Sequence, residues 1–202
     1  DDVSKPDKPE GKPDDFDDGG DGGGEKKRTL IEIELGDGRA RQIEYSSQTL
    51  YYDQQGRPIS AEKFIKNIFG ALPDLFQDEN ELRLLWSSPD TRKKLLDGLA
   101  SRGFDEAALK EIQKMTNNEY SDVYDVLSYI AYAKEPKLRE ERVAMAKESV
   151  EEILSDKELE FINFILSKYE VDGVWDLGTE KLSSLVRLKY GTPIAAQKIL
   201  GE

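Results

Sequence analysis

The chain has 202 residues, a formal net charge of −13 and a pI near 4.7, and it contains neither cysteine nor histidine. The missing cysteine excludes disulfides, cysteine-based zinc sites and cysteine nucleophiles, and the missing histidine removes the commonest metal ligand and the usual general base near neutral pH. No apolar run is long enough to span a membrane and no signal-peptide pattern is present, so we expect a cytoplasmic protein that does not contact a membrane.

Residues 1–25 form an acidic segment rich in Asp, Lys, Pro and Gly, with ten acidic and three basic side chains. Its net charge of −7 leaves −6 for the rest of the chain. Such a composition buries too little apolar area to offset the entropy lost on ordering, which predicts a disordered linker. Because the segment opens without an initiator Met, we expect the chain to begin inside a longer protein. The Gly-rich run Asp18–Gly24 lacks a preceding strand and would repel phosphate, so no nucleotide-binding loop is predicted there.

Residues 26–59 are predicted to form a small antiparallel β element that packs with the helices after it as one unit. Thr29–Leu35 alternates apolar and acidic residues, which is the pattern of a half-buried strand. Gly36-Asp37-Gly38 favours a tight turn, and the alternation resumes at Ile43 and Tyr45. Thr49–Tyr52 is a third β-prone run. Two or three strands are only marginally stable alone, so we expect the helical part of the chain to cover this sheet.

Residues 60–202 are predicted to be a helical domain, so the fold class is mainly α, or α+β if the small sheet is counted. Capping residues before apolar stripes mark the helix starts, and Gly residues mark several ends. The predicted helices are Ala61–Leu72, one opened by Asp78 and running to Trp86, one from Ser88-Pro89 to Gly103, Asp105–Met115, one capped by Ser121, one starting at Arg139, one from Ser155 to Gly173, and a last one from Thr192-Pro193.

The segment Asp122–Val143 holds the most informative pattern, and we call it the signature segment. Its first part, DVYDVLSYIAY, is apolar or aromatic on nearly every side. A helix with so little polar surface belongs at the centre of a helical domain or at an interface. A Pro-interrupted joint, Lys134–Leu138, follows it, and the charged run Arg139-Glu140-Glu141-Arg142 starts the next helix.

The signature segment resembles a pattern of the C-terminal domain of type I restriction enzyme R subunits. That pattern reads roughly Asp-Pro-Phe-Asp-Leu-Leu, a Cys-His pair, Ile-Ala-Tyr/Phe, a Pro-containing joint and Arg-Arg-Glu-Arg. Three residues depart from it: Val123 replaces the Pro, and Ser128-Tyr129 replace the Cys-His pair, so no function of a thiol or imidazole is carried over. The flanking runs Tyr51–Ile59 and Leu188–Gly191 also fit the layout of such domains. The matching positions are Asp122, Tyr124, Asp125, Leu127, Ile130, Ala131, Tyr132, Pro136, Arg139, Glu141 and Arg142.

The resemblance implies a domain that docks the ATP-dependent DNA translocase and endonuclease of the R subunit onto the methyltransferase and specificity subunits. DNA would then be bound indirectly, through the complex. ATP and Mg²⁺ are expected in nuclease and motor domains outside this chain, and no catalytic, cofactor or metal site is expected within it. Two other functions stay open: a DNA-contacting accessory module of the motor, and a free-standing, non-catalytic regulatory adaptor.

Two groups in the signature segment are candidate partner contacts. Tyr129 and Tyr132 lie three residues apart on a helix and would offer a partner large contact area with polar tips. Burial in the core, with their hydroxyls bonded to backbone, is an equal alternative. Arg139, Glu141 and Arg142 would either form local ion pairs, which is the favoured interpretation, or reach carboxylates of a partner.

Two further clusters are candidate sites. Arg92, Lys93 and Lys94 are possible contacts to DNA phosphates, although three adjacent helical residues spread around the helix and lie among acids, which favours a solvated face. Glu32 and Glu34 share a strand face but lack a Lys two residues after a glutamate, so solvated glutamates are favoured over a nuclease metal site.

Overall fold

The computed structural model describes residues 28–46, 49–176 and 179–200, and the predicted linker over residues 1–25 lies outside them. The described chain is mainly helical with a small β hairpin at its start, which confirms the predicted fold class. The strands are β1 (Arg28–Glu34), β2 (Ala40–Ser46), β3 (Tyr51–Tyr52) and β4 (Pro58–Ile59). The helices are α1 (Ala61–Ala71), α2 (Glu79–Ser87), α3 (Pro89–Ala100), α4 (Glu106–Met115), α5 (Val123–Tyr132), α6 (Arg139–Glu151), α7 (Asp156–Asp172), α8 (Thr179–Tyr190) and α9 (Pro193–Leu200), with short 3₁₀ turns at Leu72–Asp74 and Gly173–Asp176.

Strands β1 and β2 pair antiparallel, and Ile31 lies opposite Ile43. The predicted turn joins them, with Gly38 in the left-handed region at φ 71°. The third β-prone run does not extend this sheet: β3 pairs with β4 in a separate two-stranded ladder. The carboxylate of Asp53 explains why, because it accepts from the backbone N–H groups of Gln55 and Arg57, each at 2.9 Å, and so turns the chain back on itself.

Most predicted helix starts are confirmed by side-chain caps. Ser60, Asp78 and Asp105 each accept from a backbone N–H three residues later, and Ser155 forms the predicted capping box with Glu158.

The cap predicted for α5 was wrong. Asp122, and not Ser121, is the N-cap, and its carboxylate accepts from the N–H of Tyr124 at 3.0 Å. The hydroxyl of Ser121 is buried and has no hydrogen-bond partner among the described residues. A carboxylate and a hydroxyl side by side both fit an N-cap, and the local sequence does not say which one the chain direction presents to the helix.

Helix α5 lies at the centre of the described helices, as its all-round apolar sequence predicted. Val126, Leu127 and Ile130 are at most 1% exposed, and the helix contacts α1, α2 and α4. Residues of the hairpin, Ile33 and Ile43, belong to the same hydrophobic core. In the described residues, no helix combines the length and the apolar character needed to cross a membrane.

Two arginines of the hairpin cap the C-terminus of α5. Arg41 is completely buried, and its guanidinium donates from Nε to the carbonyl of Tyr129 at 2.7 Å and from Nη2 to that of Ile130 at 2.9 Å. Its charge is paired with Asp37 at 2.8 Å. Arg39 donates to the carbonyl of Tyr132 at 2.9 Å. These carbonyls lie in the last turn of the helix and carry its negative end, and that of Tyr129 also accepts from the N–H of Ala133 at 2.8 Å. The hairpin therefore adds donors where the helix itself supplies few.

We predict that Arg41→Leu lowers the free energy of unfolding by about 3 kcal/mol or more, because it removes a buried donor from the carbonyls of Tyr129 and Ile130 and the cation that pairs with Asp37. Arg39→Leu removes a single bond at an exposed position and should cost much less. Urea unfolding of both variants, followed by circular dichroism, measures the difference. Equal losses in the two variants would contradict a capping role specific to Arg41.

Candidate functional site at the joint after helix α5

A bidentate ion pair ties α6 back onto α5. Asp125 is 5% exposed, and Arg142 donates to its two carboxylate oxygens from Nε at 2.7 Å and from Nη2 at 2.6 Å. The N–H of Lys137, in the joint, donates to the same carboxylate at 3.3 Å. The guanidinium of Arg142 also lies 5.3 Å from the ring centroid of Tyr124. Planar, doubly bonded pairs of this kind fix geometry, so the chain must leave α5 and enter α6 in one arrangement.

Arg139 connects the joint with the end of α7. Its guanidinium is buried and donates to the carbonyls of Ser121 at 2.9 Å, Glu170 at 3.0 Å and Val171 at 3.3 Å. Its backbone N–H donates to the carbonyl of Tyr120 at 2.7 Å. Two of the three side-chain bonds reach the last turn of α7, where free carbonyls and the helix dipole favour a cation.

Asp122 and Tyr169 form a third link, between the start of α5 and the last turn of α7. The Tyr169 hydroxyl donates to Asp122 Oδ2 at 2.5 Å. Burial raises the pKa of Asp122, although the hydrogen bond from Tyr169 works in the opposite direction. Burial and the neighbouring Asp122 carboxylate both raise the pKa of the Tyr169 hydroxyl. Each group therefore favours its protonated form more strongly than it would in water.

Together these three links join α5, α6 and α7 through residues of the signature segment. Within the part of the chain that the structure describes, no cluster of three or more carboxylates could hold a metal ion. The polar groups of the joint bind one another and the ends of helices. Such bonds fix the relative positions of α5, α6 and α7.

The two candidate tyrosines make contacts within the chain. The Tyr129 hydroxyl accepts from the backbone N–H of Gln42 at 2.8 Å, and the Tyr132 ring centroid lies 6.3 Å from that of Phe76. Both side chains are half-buried. These contacts match the core-packing alternative, and contact with another subunit stays a prediction.

The three candidate charged residues of the joint make different contacts. Arg142 forms the local ion pair that the sequence favoured, whereas Arg139 binds carbonyl oxygens. Glu141 is exposed on α6. Glu32 and Glu34 are exposed on the outer face of β1, as predicted for solvated glutamates.

The basic cluster at the start of α3 does not form one cationic surface. Arg92 donates to the carbonyl of Trp86 at 3.3 Å and lies 5.9 Å from that ring's centroid. Lys93 turns toward Asp97, with Nζ and the carboxylate 3.7 Å apart, and Lys94 is exposed. A DNA-phosphate contact by these residues stays a prediction.

Sequence reasoning missed an apolar surface beside the joint. Tyr120, Leu138 and Val171 are 72%, 44% and 71% exposed and line one concave surface of about 690 Å³. The three residues lie far apart in sequence, and none falls on a helical apolar stripe. The backbone bridge between Ser121 and Leu138 and the bonds of Arg139 help to bring them together in the folded chain.

A protein-family model described as EcoEI R protein C-terminal matches residues 62–202. The chain belongs to this family, the C-terminal domains of type I restriction enzyme R subunits. The match confirms the resemblance read from the signature segment and places the chain in the context of a type I restriction complex. It covers the helical part from α1 onward, while the hairpin lies before it. Comparison with curated proteins and with solved structures gave no match.

We predict that Asp122→Asn reduces the loss of stability with rising pH. Because burial raises the pKa of Asp122, the folded state binds more protons than the unfolded state above about pH 4. The free energy of unfolding of the wild type therefore falls as the pH rises through this range. The free energy of unfolding of the wild type minus that of the variant should decrease across this range. Urea unfolding at several pH values measures the difference. Asp156→Asn removes an equal charge from an exposed site and should show a much weaker trend, and a flat difference for Asp122→Asn would contradict the assignment.

A double-mutant cycle tests the ion pair of the joint. Asp125→Asn and Arg142→Gln should show a coupling free energy of about 1–3 kcal/mol, because the pair is partly desolvated and bidentate. The exposed pair of Glu106 and Lys110 on α4, whose charged atoms are 2.7 Å apart, is the matched control and should show less. Chemical unfolding measures both coupling free energies. Equal values would show that partial burial does not strengthen the pair of Asp125 and Arg142.

Proposed function

We propose that this chain docks the ATP-dependent DNA translocase and endonuclease of a type I R subunit onto the methyltransferase–specificity core. Membership of the EcoEI R protein C-terminal family carries this proposal. The joint supports it, because its charged residues hold three helices in one arrangement and so present their outer faces as a preformed surface. Preformed surfaces lose less conformational entropy on association.

We assign no catalytic role to this chain. ATP hydrolysis and Mg²⁺-dependent DNA cleavage are proposed to belong to other parts of the R subunit, and the complex is proposed to act in the cytoplasm. DNA would be reached through the complex. Residues 26–202 carry a net charge of −6, and the basic side chains at the start of α3 point to different partners, which supports indirect contact.

We expect the purified chain to bind its cognate methyltransferase–specificity assembly in the absence of DNA and ATP. Biolayer interferometry with the immobilised assembly measures the affinity. An acidic protein of similar size and net charge is the control for nonspecific attraction. Added in excess to the complete enzyme, the chain should lower ATP-dependent restriction by competing with the R subunit and should leave DNA methylation unchanged. Absence of binding at micromolar concentrations would refute the docking function.

A further inference from the structure

The concave surface beside the joint is lined by apolar and acidic side chains. Tyr120, Leu138 and Val171 line it together with the exposed residues Glu140 and Glu170, and we call these five residues the apolar cleft. Below, the floor means the three apolar side chains and the edges mean the two glutamates. Single exposed apolar side chains are common on protein surfaces, whereas three that converge in one concavity mark a contact site.

Hydrogen bonds of the joint fix the floor in place. The N–H of Arg139 holds the carbonyl of Tyr120, and its guanidinium holds those of Glu170 and Val171. The cleft is therefore bounded by backbone that these bonds already tie together, from the segment before α5, the start of α6 and the end of α7. A partner that enters it would order little additional backbone, which favours affinity.

The charge of the cleft favours a basic partner over an acidic one. The carboxylates of Glu140 and Glu170 have no ion pair among the described residues, and Arg139, the one cation lining the cleft there, is buried with its bonds directed to carbonyls. The cleft therefore presents negative charge around an apolar centre. Nucleic acid would be repelled, and so would the acidic segment 1–25 of this chain, with its net charge of −7.

We infer that the apolar cleft receives a basic amphipathic segment of the methyltransferase–specificity core, with apolar side chains on Tyr120, Leu138 and Val171 and Lys or Arg beside Glu140 and Glu170. We rely here on the docking function proposed above. The apolar floor would supply most of the binding free energy, and the two carboxylates would supply orientation and salt dependence.

Substitutions in the floor test this inference. Tyr120→Ala and Val171→Asp lie at exposed positions, so both variants should fold, and each should weaken binding of the chain to the cognate assembly by about tenfold or more. Leu84→Asp, at a 71% exposed position on α2, is the matched control and should bind like the wild type. Circular dichroism melting confirms that all three fold.

Binding by the wild type tests the docking function, and binding by the floor variants tests the cleft as the docking site. If the wild type binds and the floor variants bind equally well, or if Leu84→Asp loses as much, the cleft is not the docking site while the docking function stands. If the wild type does not bind, both are refuted.

Charge reversal at the edges gives an independent measurement. The double variant Glu140→Lys/Glu170→Lys should weaken binding by about tenfold and flatten its dependence on salt, because the partner's cations lose their carboxylates. Glu148→Lys/Glu151→Lys changes the net charge equally on exposed positions of α6 and should have a much smaller effect. Equal effects of the two double variants would show that only long-range charge is sensed, and would overturn the inference.

Discussion

Because the central helix is buried, the free N–H groups at its start and the free C=O groups at its end need hydrogen-bond partners from the protein. Helix α5 packs on α1, α2 and α4 and shares its core with the hairpin, so much of it is removed from water. Asp122 caps the amides at one end, and Arg41 and Arg39 bind the carbonyls at the other. The hairpin is thereby fixed to the helix by charged hydrogen bonds as well as by apolar packing.

In the joint, arginine side chains likewise bind polar groups of neighbouring helices. Arg139 binds carbonyls of α7, and Arg142 pairs with Asp125 of α5. Because each guanidinium contacts groups from a different helix, the three helices are held in one relative orientation. A charged residue in this position stabilises geometry, and its loss leaves buried polar groups unpaired, which is far costlier than losing an exposed ion pair.

This arrangement gives the family pattern a physical meaning. Residues that match the R-subunit pattern, among them Asp125, Arg139 and Arg142, lie inside the joint and hold it. The outward positions next to them, Leu138 and Glu140, are the ones that we propose to meet a partner. The pattern residues Asp125, Arg139 and Arg142 therefore hold the backbone beside the surface that we propose for docking.

Local chemistry was enough to predict the hairpin, most of the helices and most of their caps, although it missed α8, and the family came from a resemblance of the signature segment. The predicted helices and the hairpin depend on neighbours in sequence: an apolar period, a capping side chain or a turn with Gly38. The same reasoning could not place Arg41, since a fully buried arginine is rare and its partners are some ninety residues away. It could not assemble Tyr120, Leu138 and Val171 either. Only the tertiary structure decided those contacts, because they depend on which distant helix ends the chain brings together.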